Sequence, residues 1–378
     1  MKIRIFVIIS IFFLIFNVIS CGSTQSFNSV PNKDLPALKD IYKDYFLIGN
    51  IINGVYMKGE YIELITKHFN TVTCENSMKP SDLAPRQRGG QYNFSGADQM
   101  LNLMSSNNIL VHGHTLVWHS QTPAWMFEGT PEQVKQNMVN HINTVLAHYK
   151  GKVFSWDVVN EAIRDGINPG EQNADWKTQL RTGSGWYKAM GPEYIELAFR
   201  TARAADPNVK LYYNDYSMNN LRKSQVAANM IKDINERYRA EGNNRNLIDG
   251  IGFQGHYGLT TSVQNVRESL DKFVQLGVEI AISELDIEVR SVGSGNFGIG
   301  KDSVIPEAVQ RTQALVYAQF FNLFKEYKDS IVRVTMWGLT DELSWKSLGN
   351  PCLWDGDVRA KQAFFAVADP DRTLRISR

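Results

Sequence analysis

Eight short apolar runs separated by amphipathic helical stretches are the feature that most narrows how this chain can fold. The runs occupy residues 46–48, 71–74, 109–117, 153–159, 210–213, 250–254, 279–283 and 333–337. Near-continuous apolar runs of this length are what strands buried on both faces look like, as in parallel sheets. Helical spacing fills the gaps near 60–69, 130–149, 192–205, 225–239, 263–276 and 306–327. The clearest helix start is Thr130-Pro131-Glu132-Gln133. There Thr caps, Pro takes the first helical position and Gln completes a capping box. Val134, Met138, Ile142, Val145 and Tyr149 then recur on one face. Strand and helix alternating in this way, with no internal repeat, predict an α/β fold, a single closed (β/α)8 TIM barrel. A doubly wound open sheet is the alternative. It commonly carries a Gly-rich phosphate loop after its first strand, and Gly49-Asn50-Ile51-Ile52-Asn53-Gly54 lacks that spacing.

The 378 residues suit one large barrel as well as two smaller domains. Lys and Arg number 40 against 39 Asp and Glu, so no basic excess points to nucleic acid. Three cysteines rule out a disulfide framework, and Cys74 and Cys352 are expected as free buried thiols. At the N-terminus Lys2 and Arg4 precede an apolar run over 5–19, then Ser20-Cys21-Gly22. That reads as a lipoprotein-type signal peptide over 1–20 with Cys21 as the lipid anchor, ordinary secretory cleavage being the alternative. A flexible tether is expected over 21–39 and the catalytic barrel over 40–378. The mature chain is then exported to the cell envelope, touches a membrane only through its anchor, and acts as a monomer.

Residues of chemical interest collect where the apolar runs end, which in a (β/α) barrel is the catalytic face. The fourth run ends in Asn160-Glu161 and the seventh in Ser283-Glu284-Leu285-Asp286. In a closed barrel these ends lie across the mouth from one another. Two carboxyl groups flanking a small gap are the machinery of glycoside hydrolysis, one protonated and one ionised. His256, at the end of the sixth run, is placed to bridge Asp286 and Glu284, and Asn160 offers a donor for a sugar hydroxyl. Trp, Tyr, Asn, Gln, Lys and Glu around the same mouth suit sugars, whose flat faces stack on rings and whose hydroxyls need polar partners. Trp156 reads as core, Trp337 and Trp345 as mouth. A rival reading takes His112-x-His114 as a metal pair completed by His256, Asp215 or Glu284.

Seven ordered blocks, FNTVTCENSMKP, HGHTLVWHSQTP, WDVVNEA, LYYNDYS, IGFQGHY, ISELDI and MWGLTDELSW, resemble family-10 glycoside hydrolases, the retaining endo-β-1,4-xylanases. The resemblance spans roughly 35–365. It implies a barrel with an open cleft for xylan, Glu284 as nucleophile and Glu161 as acid/base, without metal or organic cofactor. Asn160, Gln254 and His256 resemble the groups supporting the nucleophile and the neighbouring 2-hydroxyl, with Asp286 behind His256 and His119 as a further supporting residue. Asn214 and Tyr216 match cleft-lining positions. Glu75, Asn76, Lys79, His114, Trp118 and Gln121 match the grip on the non-reducing side of the scissile bond, with Trp337 and Trp345 as its aromatic lid and wall. His112 stands where the family has Arg, and Ser77 where it has Glu or Ala. The Gly/Ser-rich 291–300 reads as a long loop tuning the reducing side. A β-glucanase of the same mechanism and a non-catalytic xylan-binding lipoprotein are the alternatives on this fold.

Overall fold

A computed structural model describes residues 30–289 and 305–377; the expected signal peptide, Cys21 and the 291–300 segment lie outside the described residues. The strands are β1 (Leu47–Ile52), β2 (Thr71–Cys74), β3 (Leu110–Trp118), β4 (Ser155–Asn160), β5 (Lys210–Asp215), β6 (Gly250–Phe253), β7 (His256–Gly258), β8 (Glu279–Glu288) and β9 (Ile331–Met336). Among the described residues they run β6-β5-β4-β3-β2-β1-β9-β8, and β6 pairs again with β8, so eight parallel strands close into a barrel.

A helix follows each barrel strand: Gly59–His68, Ser95–Ser106, Pro131–Tyr149, Glu193–Ala205, Leu221–Ala240, Val263–Leu276, Glu307–Glu326 and Gln362–Ala368. Each buries apolar residues in the core. In Pro131–Tyr149 the Thr130–Gln133 capping box is present, and Val134, Met138, Ile142, Val145 and Tyr149 are buried as their spacing requires. The helix Ser95–Ser106 has no match in the sequence reading. Its face, Ala97, Met100, Leu101 and Met104, is only four apolar residues set in a polar stretch.

Three differences from expectation have physical causes. The expected tether ends early: Leu35 and Leu38 are buried, and Asn32 Nδ2 donates to the Val358 carbonyl at 2.8 Å while Lys67 Nζ donates to the Asn32 carbonyl at 2.6 Å. Residues 30–39 are therefore packed against the barrel. β8 runs on through Glu288, because its polar end lies within the ladder and faces the mouth. A separate short strand, β7, begins at His256, just past the sixth run. Gly255 sits at φ 76°, and a Cβ there would lie 3.1 Å from Ile282 Cγ2. The kink starts β7, which pairs with the far end of β8 and sets His256 opposite Asp286.

Trp156 is core, as read. Its ring lies against Gly113, where any Cβ would come within 2.3 Å of it. That explains the Gly between His112 and His114. Cys74 and Cys352 are buried and unpaired.

Candidate active site

β8 brings Glu284 to the mouth at a register shift between Ile282 and Leu285, a bulge that re-aims side chains. Glu284 is 5% exposed. His256 Nε2 lies 3.2 Å from Glu284 Oε2, and His256 Nδ1 lies 2.8 Å from Asp286 Oδ2. Burial works against charge on this imidazole, but Asp286 and Glu284 outweigh it and raise its pKa to about 9. Burial likewise opposes ionisation of Glu284. The His256 hydrogen bond, the positive field of His114 and His256, and the Asn214 amide prevail, so its pKa lies below the usual value. Asn214 Nδ2 donates to Glu284 Oε1 at 2.8 Å, and Ser283 Oγ donates to Asn214 Oδ1 at 2.6 Å.

Glu161 follows directly on β4 with a left-handed backbone, φ 56°, a conformation costing about 1–2 kcal/mol for a residue with a Cβ. Gln254 Nε2 donates to its Oε1 and Trp118 Nε1 to its Oε2, both at 2.9 Å. The Asn160 amide joins the two carboxyl groups indirectly. It lies 3.0 Å from the Asn214 amide, which reaches Glu284, and 3.4 Å from the Gln254 amide, which reaches Glu161. Gln254 therefore holds the acid/base candidate, not the nucleophile as expected. The kink at Gly255 separates its reach from that of His256.

On the floor of the mouth Lys79 Nζ donates to Asn76 Oδ1 at 3.0 Å and Gln121 Oε1 at 2.9 Å, and stands 5.3 Å over the Trp118 ring. Burial lowers its pKa, with Glu284 and Glu75 pulling the other way. Asn53 Nδ2 donates to Glu75 Oε2 at 2.8 Å. His114 Nδ1 and His112 Nε2 both reach Asp157 Oδ2, at 2.9 and 3.1 Å. Burial and nearby Arg333 push His112 down to about 4, so it meets Asp157 as a neutral ring. The two histidines thus share a carboxylate, and no group of three His, Cys, Asp or Glu side chains among the described residues has a metal-holding arrangement.

Trp337 is 6% exposed and packs edge-on against His114, so it is a buried backing for the site; Trp345 is 58% exposed with its ring edge-on to His256.

The model of glycosyl hydrolase family 10 matches residues 37–370. The chain belongs to glycosyl hydrolase family 10. Endo-1,4-beta-xylanase A of Thermotoga maritima is 40% identical over 354 residues, which is 90% of this chain. The chain spans 31% of that protein's length. Beta-1,4-xylanase of Dictyoglomus thermophilum is 35% identical, covering 88% of this chain and 91% of that one. The crystal structure of a bacterial Ig-like domain containing GH10 xylanase from termite gut superposes with a TM-score of 0.85 at 36% identity, over 93% of this chain and 80% of that one.

Within this family-10 barrel the expected site residues gather at one mouth, with two qualifications. Tyr216 points its hydroxyl at Asp165, 2.7 Å away, on the Glu161 side. His119 is half-buried there in the field of Arg181, with no hydrogen bond to either glutamate; burial lowers its pKa, and Arg181 lowers it further. Three contributors went unread. Asp157 lies inside a quoted block but points to His114. Lys346 Nζ reaches Asp286 Oδ1 at 3.2 Å and Glu288 Oε1 at 2.9 Å. Arg181 Nε donates to the Glu161 carbonyl at 3.1 Å. Lys346 adjoins the Trp345 block and could have been flagged by position; Arg181 sits in a loop without any periodic signal.

Proposed function

We propose that this protein is an endo-1,4-β-xylanase that cleaves internal linkages of xylan with retention of configuration. The observation that carries the reading is the contrast within the carboxyl pair. Glu284 is held ionised by an imidazolium, while Glu161, at the end of a different strand, meets the neutral N–H donors of Gln254 and Trp118. Glu161 gives its proton to the glycosidic oxygen as the bond from that oxygen to the anomeric carbon breaks. A Glu284 oxygen bonds to the same carbon. Water then attacks that carbon, Glu161 takes its proton, and the ester to Glu284 opens. Xylan is favoured as substrate by the names of the matched relatives.

Product analysis tests this directly. Incubation with xylan beside carboxymethylcellulose is expected to release xylo-oligosaccharides and leave the cellulose intact. NMR of the first product is expected to show the β-anomer. Equal or greater release from carboxymethylcellulose would support the glucanase reading, and an initial α-anomer would overturn retention.

We further place the mature chain at the cell envelope, anchored through Cys21. Lys2, Arg4, the apolar 5–19 run and the Ser20-Cys21-Gly22 junction support this. Labelling with a fatty-acid probe is expected in the wild type and absent in Cys21→Ala.

A further inference from the structure

We propose that Arg181 is the positioning residue of the acid/base carboxyl: it clamps the left-handed backbone of Glu161 and through it aims the side chain at the leaving oxygen. The inference rests on the reading of Glu161 as acid/base. At φ 56° the Glu161 backbone sits in the left-handed region that few side-chain-bearing residues adopt. It is held from both directions. Its N–H donates to the Asn214 carbonyl at 2.9 Å, and its carbonyl receives Arg181 Nε at 3.1 Å.

The same guanidinium ties down the turn that follows. Arg181 Nη2 donates to Asp165 Oδ2 at 3.0 Å and to the Tyr216 hydroxyl, and the Arg181 backbone N–H donates to the Ala162 carbonyl at 2.9 Å. The Ala162 and Ile163 N–H groups both donate to the Tyr213 hydroxyl, at 3.1 and 3.2 Å, and Ile163 pairs with Leu180 in an antiparallel bridge. The planar guanidinium reaches a backbone oxygen through Nε while Nη2 meets a carboxylate and a phenol, a spread of directions that a single lysine nitrogen reproduces poorly. Arg181 touches the backbone of Glu161 rather than its carboxyl, so it acts through Glu161. A general acid set slightly out of line matters most when the leaving group needs the proton.

The test uses aryl β-xylobiosides whose phenol leaving groups span a range of pKa. These substrates carry no sugar on the leaving side, so lost sugar contacts to the 181 loop do not enter. In kcat/KM, Arg181→Met is expected to lose about 10- to 100-fold for the poorest leaving group and little for the best, with Arg181→Lys between it and wild type. A uniform loss across the series, or a lowered melting temperature with the wild-type slope, would overturn the role. Glu161→Ala is the control. If it steepens the dependence while Arg181→Met does not, the positioning role alone fails; if it does not, the acid/base reading fails and takes this inference with it. Should Arg181→Met not fold, Arg181→Lys and Asp165→Asn, which removes the carboxylate anchoring the guanidinium, decide the same question.

Discussion

The wall formed by β7 and β8 and the wall formed by β4 present the same functional group in opposite settings. On the first, Glu284 ends a relay of charges. Lys346 and Trp345 donate to Asp286, Asp286 holds His256, and His256 meets Glu284. On the second, the donors on the Glu161 carboxyl are an amide and an indole, and the strain lies in the backbone behind it. An ionic relay commits a carboxylate to its charge. Neutral donors orient a carboxyl without setting a full charge against it.

Four substitutions would break or sharpen this contrast. Glu284→Ala is expected to reduce hydrolysis of xylan by at least about 10^4-fold while circular dichroism stays that of the wild type; substantial residual turnover would dissolve the contrast altogether.

His256→Asn removes the imidazolium that keeps Glu284 low. The Glu284 pKa is then expected to rise, moving the acid limb of the kcat/KM profile to higher pH; an unmoved limb would mean the relay does not reach the nucleophile. The same substitution has a stability signature. Because folding raises the His256 pKa from 6.5 to about 9, its charge favours the folded state fully below pH 6.5, and that benefit is lost as pH rises through about 9. Unfolding by urea across that window is expected to show a steeper loss in the wild type than in the variant.

Trp118→Phe keeps an aromatic ring, though a smaller one, and deletes the N–H on Glu161. A loss of about tenfold in kcat is expected, greatest for poor leaving groups. The same loss for every leaving group would place Trp118 in sugar binding alone.

Gly255→Ala places a Cβ at a positive φ against Ile282. It is expected to cost about 1–3 kcal/mol of stability in urea unfolding with a small change in activity. No change would mean the kink between Gln254 and His256 is not fixed by glycine.

Much of the site was legible because barrel topology converts strand ends into neighbours. Asn160, Glu161, Asn214, Gln254, His256, Glu284 and Asp286 lie at or just past the ends of apolar runs, and a closed parallel barrel leaves those ends only one rim to occupy. What escaped reading follows from local geometry. Gln254 went to Glu161 because the glycine kink at Gly255 turns the two side chains flanking it toward different partners. Trp337 is buried where mouth exposure was expected, because His114 packs against it.

Periodicity and capping determined the alternation of strands and helices, and the ends of the apolar runs singled out Glu161 and Glu284 as candidates. These are properties of residue type and local order, which the chain carries whatever its surroundings. Tertiary structure alone decided which group steadies which carboxyl, that residues 30–39 pack on the barrel, and that Arg181 and Lys346 reach the rim from loops. Those outcomes depend on distances between segments far apart in the chain, and such distances exist only once the barrel has closed.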